Sequence, residues 1–353
     1  MQANSIEFVF LSIFALLTFF IFLITNKYSH KLKNGVLLDN DFSKPQSFHK
    51  EAISRSGGIA SIISFLVFLF IYYLLFSKIL YSYFFICSCI FFIGCADDLK
   101  IKINPSVRLL FMTFFLIILI NILPIRIENI DLEFLNLWLQ NKIFVTFFTL
   151  FCFLFIINGA NLIDGFNGLL AINLIIINCV LLVINMNNNH FEFSFLLIAQ
   201  IIILLSFLLF NFPNAKIFFG DSGSYFMGSL VALNTIFTNN LNPNISSFFF
   251  CILLFYLFFE VFFSFIRKIC QKKSPFFPDD AHLHMLSYKK IKQVIGEKKS
   301  NYVNSVAINF IFSFLSLPSI YFADNGLVCM YWFFSLILIY ILIYFRLYRL
   351  TKN

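Results

Sequence analysis

The sequence predicts an all-α, polytopic integral membrane protein in which residues 1–353 form one helix bundle. Hydrophobic residues make up 60% of the chain, charged residues make up 12%, and the mean hydropathy is +0.90. A soluble domain has about 25% charged residues, so this chain has too few charges to cover a surface in water. The same composition excludes a disordered chain, a collagen and a coiled coil.

Eleven apolar runs approach the length of about 20 residues that a helix needs to cross a hydrocarbon core of ~30 Å. We therefore predict about eleven transmembrane helices. The first run has no basic segment before it and no small-residue cleavage site after it, so it is expected to be a membrane helix and not a cleaved signal peptide. The runs lie at residues 6–25, 58–77, 79–96, 107–124, 143–158, 167–186, 192–210, 225–238, 247–267, 302–322 and 327–346.

Lys and Arg are distributed unevenly between the two sets of loops that eleven spans create. One set holds 22 of the 25 basic residues: 27–57, 97–108, 158–168, 211–224, 267–301 and the tail after 345. Since basic loops remain in the cytoplasm, this set is predicted to be cytoplasmic, with the N-terminus in the periplasm and the C-terminus inside. The pI near 9.0 then reflects this bias and attraction to membrane lipid headgroups. No dense basic stripe with interleaved aromatic residues exists, so no nucleic acid is expected as a partner.

Ionisable groups at a membrane boundary are costly and mark functional sites. Two adjacent carboxylates, Asp97 and Asp98, end the third apolar run. Such a pair can bind Mg2+ or act as a base. Solvation of a helix end is the alternative, but acidic residues at a helix C-terminus oppose the macrodipole.

A polar, glycine-rich loop, NGANLIDGFNG, separates two apolar runs at residues 158–168. Asn161, Asp164 and Asn167 supply hydrogen-bond donors and acceptors for a polar ligand, and the glycines permit tight turns. The loop has no Lys or Arg, so Asp164 is available to a metal or a sugar. A plain turn between helices is the alternative.

The sequence GDSGS at residues 220–224 begins a predicted helix. Backbone N–H groups at a helix start bind phosphate, and the Asp221 carboxylate can hold Mg2+ that bridges to the same phosphate. Asp221 could instead be a simple N-cap.

The longest cytoplasmic loop contains His282 and His284 among nine basic residues. A zinc site would require a third ligand nearby, so binding of anionic phosphates is the better functional interpretation, with a solvated basic loop as the alternative. His49 lies in a basic stretch that ends at Gly57-Gly58. That stretch either binds phosphate or serves the positive-inside bias.

All five polar groups lie on the predicted cytoplasmic face. Carboxylates, glycine turns and a basic loop indicate a phosphate-bearing ligand from the cytoplasm, and a membrane site implies a lipid substrate. Phosphoryl transfer depends mainly on positioning and charge neutralisation. The residues alone therefore predict Mg2+-dependent transfer between a soluble phosphorylated donor and a lipid phosphate acceptor.

The order of the motifs resembles the polyprenyl-phosphate N-acetylhexosamine-1-phosphate transferase superfamily (glycosyltransferase family 4), in its O-antigen and teichoic-acid branch. The similarity runs from about His49 to His284 through Asn-x-x-Asn-x-x-Asp-Gly, Ala-Lys-x-Phe-x-Gly-Asp-x-Gly-Ser and Ser-Pro-x-x-Pro-Asp-x-x-His-x-His. It implies transfer of HexNAc-1-phosphate from a UDP-sugar, UDP-GlcNAc or a related UDP-HexNAc, to undecaprenyl phosphate with release of UMP. The implied cofactor is Mg2+, for which Mn2+ can substitute. The implied place is the bacterial inner membrane, with a cytoplasmic active site. Whether the chain forms a homodimer is left open.

The resemblance also implies residue roles. Asp97, Asp98 and Asp164 are the expected catalytic residues, of which the aspartate pair deprotonates or positions the lipid phosphate. Asp221 is the expected Mg2+ ligand. The expected substrate-binding residues are His49, Asn161, Asn167, Asn211, Phe218, His282 and His284, with the last two at the donor's diphosphate or sugar.

The sequence departs from the family pattern at Asn167, which stands in place of an Asp, and at Asp280 and Met285 beside the His motif. These departures leave the donor sugar open. An ion-coupled transporter is an alternative, but its carboxylates should lie mid-span, whereas the carboxylate groups singled out here lie at cytoplasmic ends. An inactive scaffold of the same fold is another alternative, for which Asn167 is the only indication in the sequence.

Overall fold

The computed structural model describes residues 2–31, 35–40, 52–101, 103–275 and 279–352, with side chains from residue 9 onward. These residues are mostly helical, as the composition predicts. The helices are α1 Gln2–Ser29, α2 Gly57–Phe76, α3 Tyr81–Asp98, α4 Pro105–Ile122, α5 Glu133–Leu139, α6 Lys142–Ile163, α7 Leu169–Asn187, α8 Phe191–Asn211, α9 Gly220–Leu241, α10 Ser247–Leu253, α11 Phe255–Cys270, α12 Leu283–Ile295, α13 Glu297–Ser316 and α14 Gly326–Lys352, with a 3-10 helix at Leu317–Phe322.

Nine of the helical segments in the described ranges are long and apolar enough to cross a membrane. The bent pair α10 and α11, which meet at 77°, makes ten if it counts as one span. Each of the eleven predicted runs coincides with helical residues, but the run 247–267 is divided between α10 and α11. Of the helices that match these runs, α9 is the one whose composition is too polar for this test. The class of a polytopic all-α membrane protein is confirmed, while the number of spans and their orientation stay predictions.

Helix α9 is the centre of the bundle and packs against α2, α3, α6 and α7. Its side chains are buried almost throughout from Ser222 to Thr238. Many of them are Gly, Ser, Thr and Asn, and such small residues let helix backbones approach closely in membranes. At Gly94 of α3, an added Cβ would lie 2.5 Å from the backbone oxygen of Asp221. This close approach brings the end of α3 against the start of α9.

A buried polar network holds α9 in place deeper in the bundle. The Asn234 side-chain amide donates to Asn178 Oδ1 at 2.9 Å and to Gln200 Oε1 at 2.7 Å. The hydroxyl of Tyr83 donates to Asn234 Oδ1 at 2.8 Å. Polar side chains hydrogen-bond between helices where no water is available, so this network joins α3, α7, α8 and α9.

Two short strands, β1 Leu38–Asp39 and β2 Ile53–Ser54, pair antiparallel between α1 and α2. The Phe218 N–H donates to the Ser54 carbonyl at 2.7 Å, which joins the hairpin to the segment before α9. The next contact continues this pairing, with the Gly57 N–H donating to the Phe218 carbonyl at 3.0 Å. The loops before α2 and before α9 therefore meet at one end of the bundle.

Candidate functional site

One large cavity, about 1520 Å3 in volume, opens where these loops meet. Eight of the eleven predicted site residues line it: Asp97, Asn161, Asp164, Asn167, Asn211, Phe218, Asp221 and His282. Asp98 and His284 do not line it and lie buried behind its wall. His49 falls outside the described residues. A second cavity of about 540 Å3, beside Asp131 and Asp324, contains none of the predicted residues.

Asp221 stands in the first turn of α9 and is the centre of a charged cluster. Its Oδ1 accepts a hydrogen bond from the Asn161 amide at 3.0 Å. Its Oδ2 is paired with Arg108 Nη1, which also lies 3.1 Å from Asp97 Oδ2. The Arg108 guanidinium therefore bridges two carboxylates that are far apart in the chain. In the sequence analysis, Arg108 contributes only to the count of basic loop residues. A charged residue at the start of an apolar run is a functional signal, and this signal could have identified Arg108.

Asp98 performs a different task from its neighbour Asp97. Its side chain is 2% exposed, and its two oxygens accept the backbone N–H groups of Asp221 at 3.0 Å and Ser222 at 2.9 Å. A carboxylate at a helix N-terminus satisfies free N–H groups and is favoured by the macrodipole. Gly220 has φ +70, and an added Cβ there would lie 2.5 Å from both Asp98 oxygens. Asp98 is thus the cap of α9.

Asp164 follows the last residue of α6 and lines the cavity. Burial raises the pKa of Asp164 well above its usual range, because burial disfavours the charged form and the carboxylates of Asp221 and Asp98 repel it. The protonated form of Asp164 is therefore favoured more than that of an ordinary aspartate.

Two asparagines of the predicted site connect the loops around the cavity. The Asn167 side-chain amide donates to the Pro213 carbonyl at 2.8 Å, and the Asn167 backbone N–H donates to Asn301 Oδ1 at 2.8 Å. Asn211 Oδ1 accepts from the Gly168 N–H at 2.6 Å, and its amide donates to the Ile217 carbonyl at 2.8 Å. Both side chains thus hold residues 164–168 against the segment after α8. The loop is shorter than the predicted 158–168, because α6 continues to Ile163.

Of the two motif histidines, only His282 reaches the cavity. His282 Nδ1 lies 3.1 Å from Glu260 Oε1, and Nε2 lies 3.1 Å from Asp279 Oδ1. His284 is fully buried, with Nδ1 3.2 Å from the Tyr256 hydroxyl. Burial lowers the pKa of His284 to about 3 because the charged form is disfavoured there. The sequence did not single out Glu260, although a lone carboxylate within an apolar run is a functional signal.

Asp97 and Asp221 line the cavity and contact the same cation, Arg108. Among the residues that the structure describes, no three His, Cys, Asp or Glu side chains are arranged to hold a metal ion. Mg2+ in enzymes is usually bound by one or two carboxylates together with substrate phosphates, and not by an all-protein cage. The donor set around Arg108 fits that mode, since its two carboxylate oxygens already share one cation.

Residues 79–239 match the family described as glycosyl transferase family 4. Almost half of the chain is therefore similar to this family. The resemblance to the transferase superfamily is confirmed, whereas its branch stays a prediction. The matched residues include α3, α6 and the start of α9, which carry the charged cluster around Asp221.

Curated relatives extend the similarity beyond the residues that the family matches. The chain is 26% identical over 281 residues to the undecaprenyl-phosphate alpha-N-acetylglucosaminyl 1-phosphate transferase of Thermotoga maritima, covering 76% of this chain and 79% of the relative. It is 28% identical over 228 residues to the phospho-N-acetylmuramoyl-pentapeptide-transferase of Dictyoglomus turgidum, covering 62% of this chain and 71% of the relative. A shorter match, 33% identical over 105 residues, is to the phospho-N-acetylmuramoyl-pentapeptide-transferase of Clostridium perfringens strain 13, covering 30% of this chain and 33% of the relative.

Proposed function

We propose that the protein transfers HexNAc-1-phosphate from a UDP-sugar, UDP-GlcNAc or a related UDP-HexNAc, to undecaprenyl phosphate. In this reaction an oxygen of the lipid phosphate attacks the phosphorus attached to the sugar. A new P–O–P bond forms, and the bond to the bridging oxygen of the nucleotide breaks, so that UMP leaves. The site lies on the cytoplasmic face of a bacterial inner membrane, and the product begins a cell-surface polysaccharide such as O-antigen.

The observation that carries this proposal is that one cavity joins a charged end to an apolar wall. The charged end holds Asp97, Arg108 and Asp221. The wall is formed by side chains of α4, α6 and α11, of which Phe151, Phe262 and Phe265 are 55%, 44% and 46% exposed. Its residues are Leu109, Met112, Phe151, Leu154, Phe155, Val261, Phe262 and Phe265. A prenyl chain can pack on this wall while its phosphate reaches the charges.

Each group then has a role that its position supports. Asp221 would hold Mg2+, which when bound neutralises charge on the donor's diphosphate. Asp97 faces the same cation and would position the acceptor phosphate, while Asp98 acts through Asp221 as its cap. Asp164, with its raised pKa, would hydrogen-bond a phosphate or sugar oxygen. Arg108 and Arg55, which both line the cavity, would balance the anionic substrates.

Membranes that contain the protein should be incubated with radiolabelled UDP-GlcNAc, UDP-GalNAc or UDP-MurNAc-pentapeptide, with undecaprenyl phosphate and with either Mg2+ or EDTA. We expect label in the lipid fraction and one UMP released per labelled lipid, only with the divalent cation. Release of UDP in place of UMP would indicate transfer of the sugar alone. No labelled lipid with any donor, from membranes in which the folded protein is verified, would overturn the proposal.

Asp221→Asn should lower the transfer by orders of magnitude, because it removes a charge that acts on the reacting phosphates. Asp324→Asn is the matched control, since Asp324 lines the other cavity. Full transfer by Asp221→Asn with Mg2+ present would contradict the metal assignment.

The contacts of Asn167 give no support to the alternative of an inactive scaffold. Its side-chain N–H donates to the Pro213 carbonyl, and a carboxylate has no hydrogen to donate there. The amide therefore has a structural reason that does not require loss of activity.

A further inference from the structure

Four groups of alternating charge form a chain of contacts that begins and ends on α11 and includes His282 of the cavity wall. Arg267 donates to Asp279 through both terminal nitrogens, at 2.7 and 3.1 Å. Asp279 lies 3.1 Å from His282 Nε2, and His282 Nδ1 lies 3.1 Å from Glu260 Oε1. Arg267 therefore balances Asp279, and Glu260 requires a positive partner of its own.

The geometry decides the charge of His282. Both ring nitrogens face carboxylate oxygens, which can only accept hydrogen bonds when ionised. A neutral imidazole has a single N–H, so only the imidazolium satisfies both contacts. Glu260 is 1% exposed, and an ionised carboxylate so deeply buried is costly without a paired charge.

Two further donors hold the Glu260 carboxylate in place. The Leu283 N–H donates to Oε1 at 3.1 Å, and the Tyr340 hydroxyl of α14 donates to Oε2 at 2.6 Å. Glu260 thus joins α11, α14 and the start of α12. Nothing in the chemistry of the carboxylate cluster requires these contacts, and Glu260 lies outside residues 79–239.

Burial by itself lowers the pKa of His282, but the hydrogen bonds to Asp279 and Glu260 outweigh that effect and the pKa is raised. Glu260, Asp279 and His284 contact the ring directly. The titratable and charged groups around these partners and the neighbouring backbone are Tyr256, Arg267 and Lys268 of α11 and Tyr340 and Tyr344 of α14.

We propose that Glu260 is a positioning residue that holds His282 as an imidazolium in the cavity wall, where it presents a fixed positive charge to the phosphates of an anionic ligand. The identity of that ligand rests on the proposed function, whereas the charge state of His282 does not.

The charge state is measured directly by 15N NMR of the full-length, histidine-labelled protein in lipid nanodiscs. The chain has five histidines, and His282→Gln assigns the signal. At about pH 8 an ordinary histidine is neutral, so we expect one imidazolium signal in the wild type and its loss in Glu260→Gln. A neutral His282 in the wild type at this pH would overturn the proposal, as would an unchanged imidazolium in folded Glu260→Gln.

Two tyrosines of α14 can be changed to Phe, which keeps the aromatic side chain and removes only its hydroxyl. Tyr340→Phe removes the hydrogen bond to Glu260, whereas Tyr344→Phe removes a hydrogen bond to the Ala281 carbonyl. We expect the titration of His282 to move in Tyr340→Phe more than in Tyr344→Phe. Equal shifts would show that loss of any α14 contact suffices and would contradict the specific role of Glu260.

Kinetics link this charge to the ligand. In Glu260→Gln the alkaline limb of kcat/KM for the UDP-sugar should move to lower pH, with KM for the donor raised more than kcat is lowered. An unmoved limb would contradict the link between the charge and the ligand. If wild-type membranes give no transfer with any donor while the imidazolium signal is present, the proposed function fails and the charge state of His282 stands.

Discussion

The carboxylate of Asp98 accepts the backbone N–H of Asp221 at 3.0 Å, so the last residue of α3 caps the helix that carries the expected metal ligand. The neighbouring residue Asp97 points to Arg108 instead, at 3.1 Å. Two adjacent aspartates of one motif therefore have separable roles. Asp98 sets the position of Asp221, and Asp97 shares the cavity with it.

Because the two aspartates have separate roles, Asp98→Asn should mainly lower stability and Asp97→Asn should mainly lower the transfer. Asp98→Asn leaves one backbone N–H of α9 without its acceptor, and a buried unsatisfied group costs about 1–3 kcal/mol. Asp97→Asn should leave the melting temperature close to that of the wild type but lower the transfer strongly. Thermal unfolding in nanodiscs and the transfer assay distinguish the two. Equal losses of stability in both variants would refute the separation.

Arg108 bridges Asp97 and Asp221, two of the carboxylates that line the cavity. In Arg108→Gln the competing cation is absent, so we expect the free protein to bind divalent cations about tenfold more tightly, or about 1.4 kcal/mol. Transfer should nevertheless fall, because charge-assisted hydrogen bonds to the anionic substrates are lost. Titration with Mn2+ observed by electron paramagnetic resonance measures the first effect. Weaker Mn2+ binding would show that Arg108 does not compete for these oxygens.

Asn167→Asp introduces the carboxylate that the family pattern has at this position, but we expect it to raise neither the stability of the protein nor the transfer. The change removes the donor to the Pro213 carbonyl and places two acceptors together, so that about 0.5–1.5 kcal/mol, the net value of an ordinary hydrogen bond, is lost. We expect a lower melting temperature and no gain in transfer. A rise in transfer with unchanged stability would mean that a carboxylate is preferred at this position.

His284 should make the protein less stable in acid. Its pKa falls from 6.5 to about 3 on folding, so between these values the unfolded chain binds a proton that the folded protein does not. The contribution of neutral His284 to the free energy of unfolding is then fully present above pH 6.5 and decreases as the pH falls towards 3. In His284→Gln the melting temperature should decrease less steeply over this range. His282→Gln is the control, because the raised pKa of His282 gives a contribution of opposite sign, which is lost as the pH rises.

Much of the architecture was predictable because apolar length and composition are local properties. Each of the eleven runs coincides with helical residues, and the polar residues at 158–168 and before α9 meet at one cavity as expected. The family was recognisable for the same reason, since its motifs are short and contiguous.

The sequence by itself determined the membrane class, the helices and the acidic and asparagine motifs, because each depends on residues that are neighbours in the chain. Only the tertiary structure decided that Asp98 caps α9 while Asp97 faces the cavity. Adjacent helical residues point about 100° apart, and the helices packed around α3 determine what each side chain contacts. It also decided that Arg108 lies on Asp221 and Glu260 on His282. These pairs are far apart in the chain, and no local pattern encodes which distant helices come into contact.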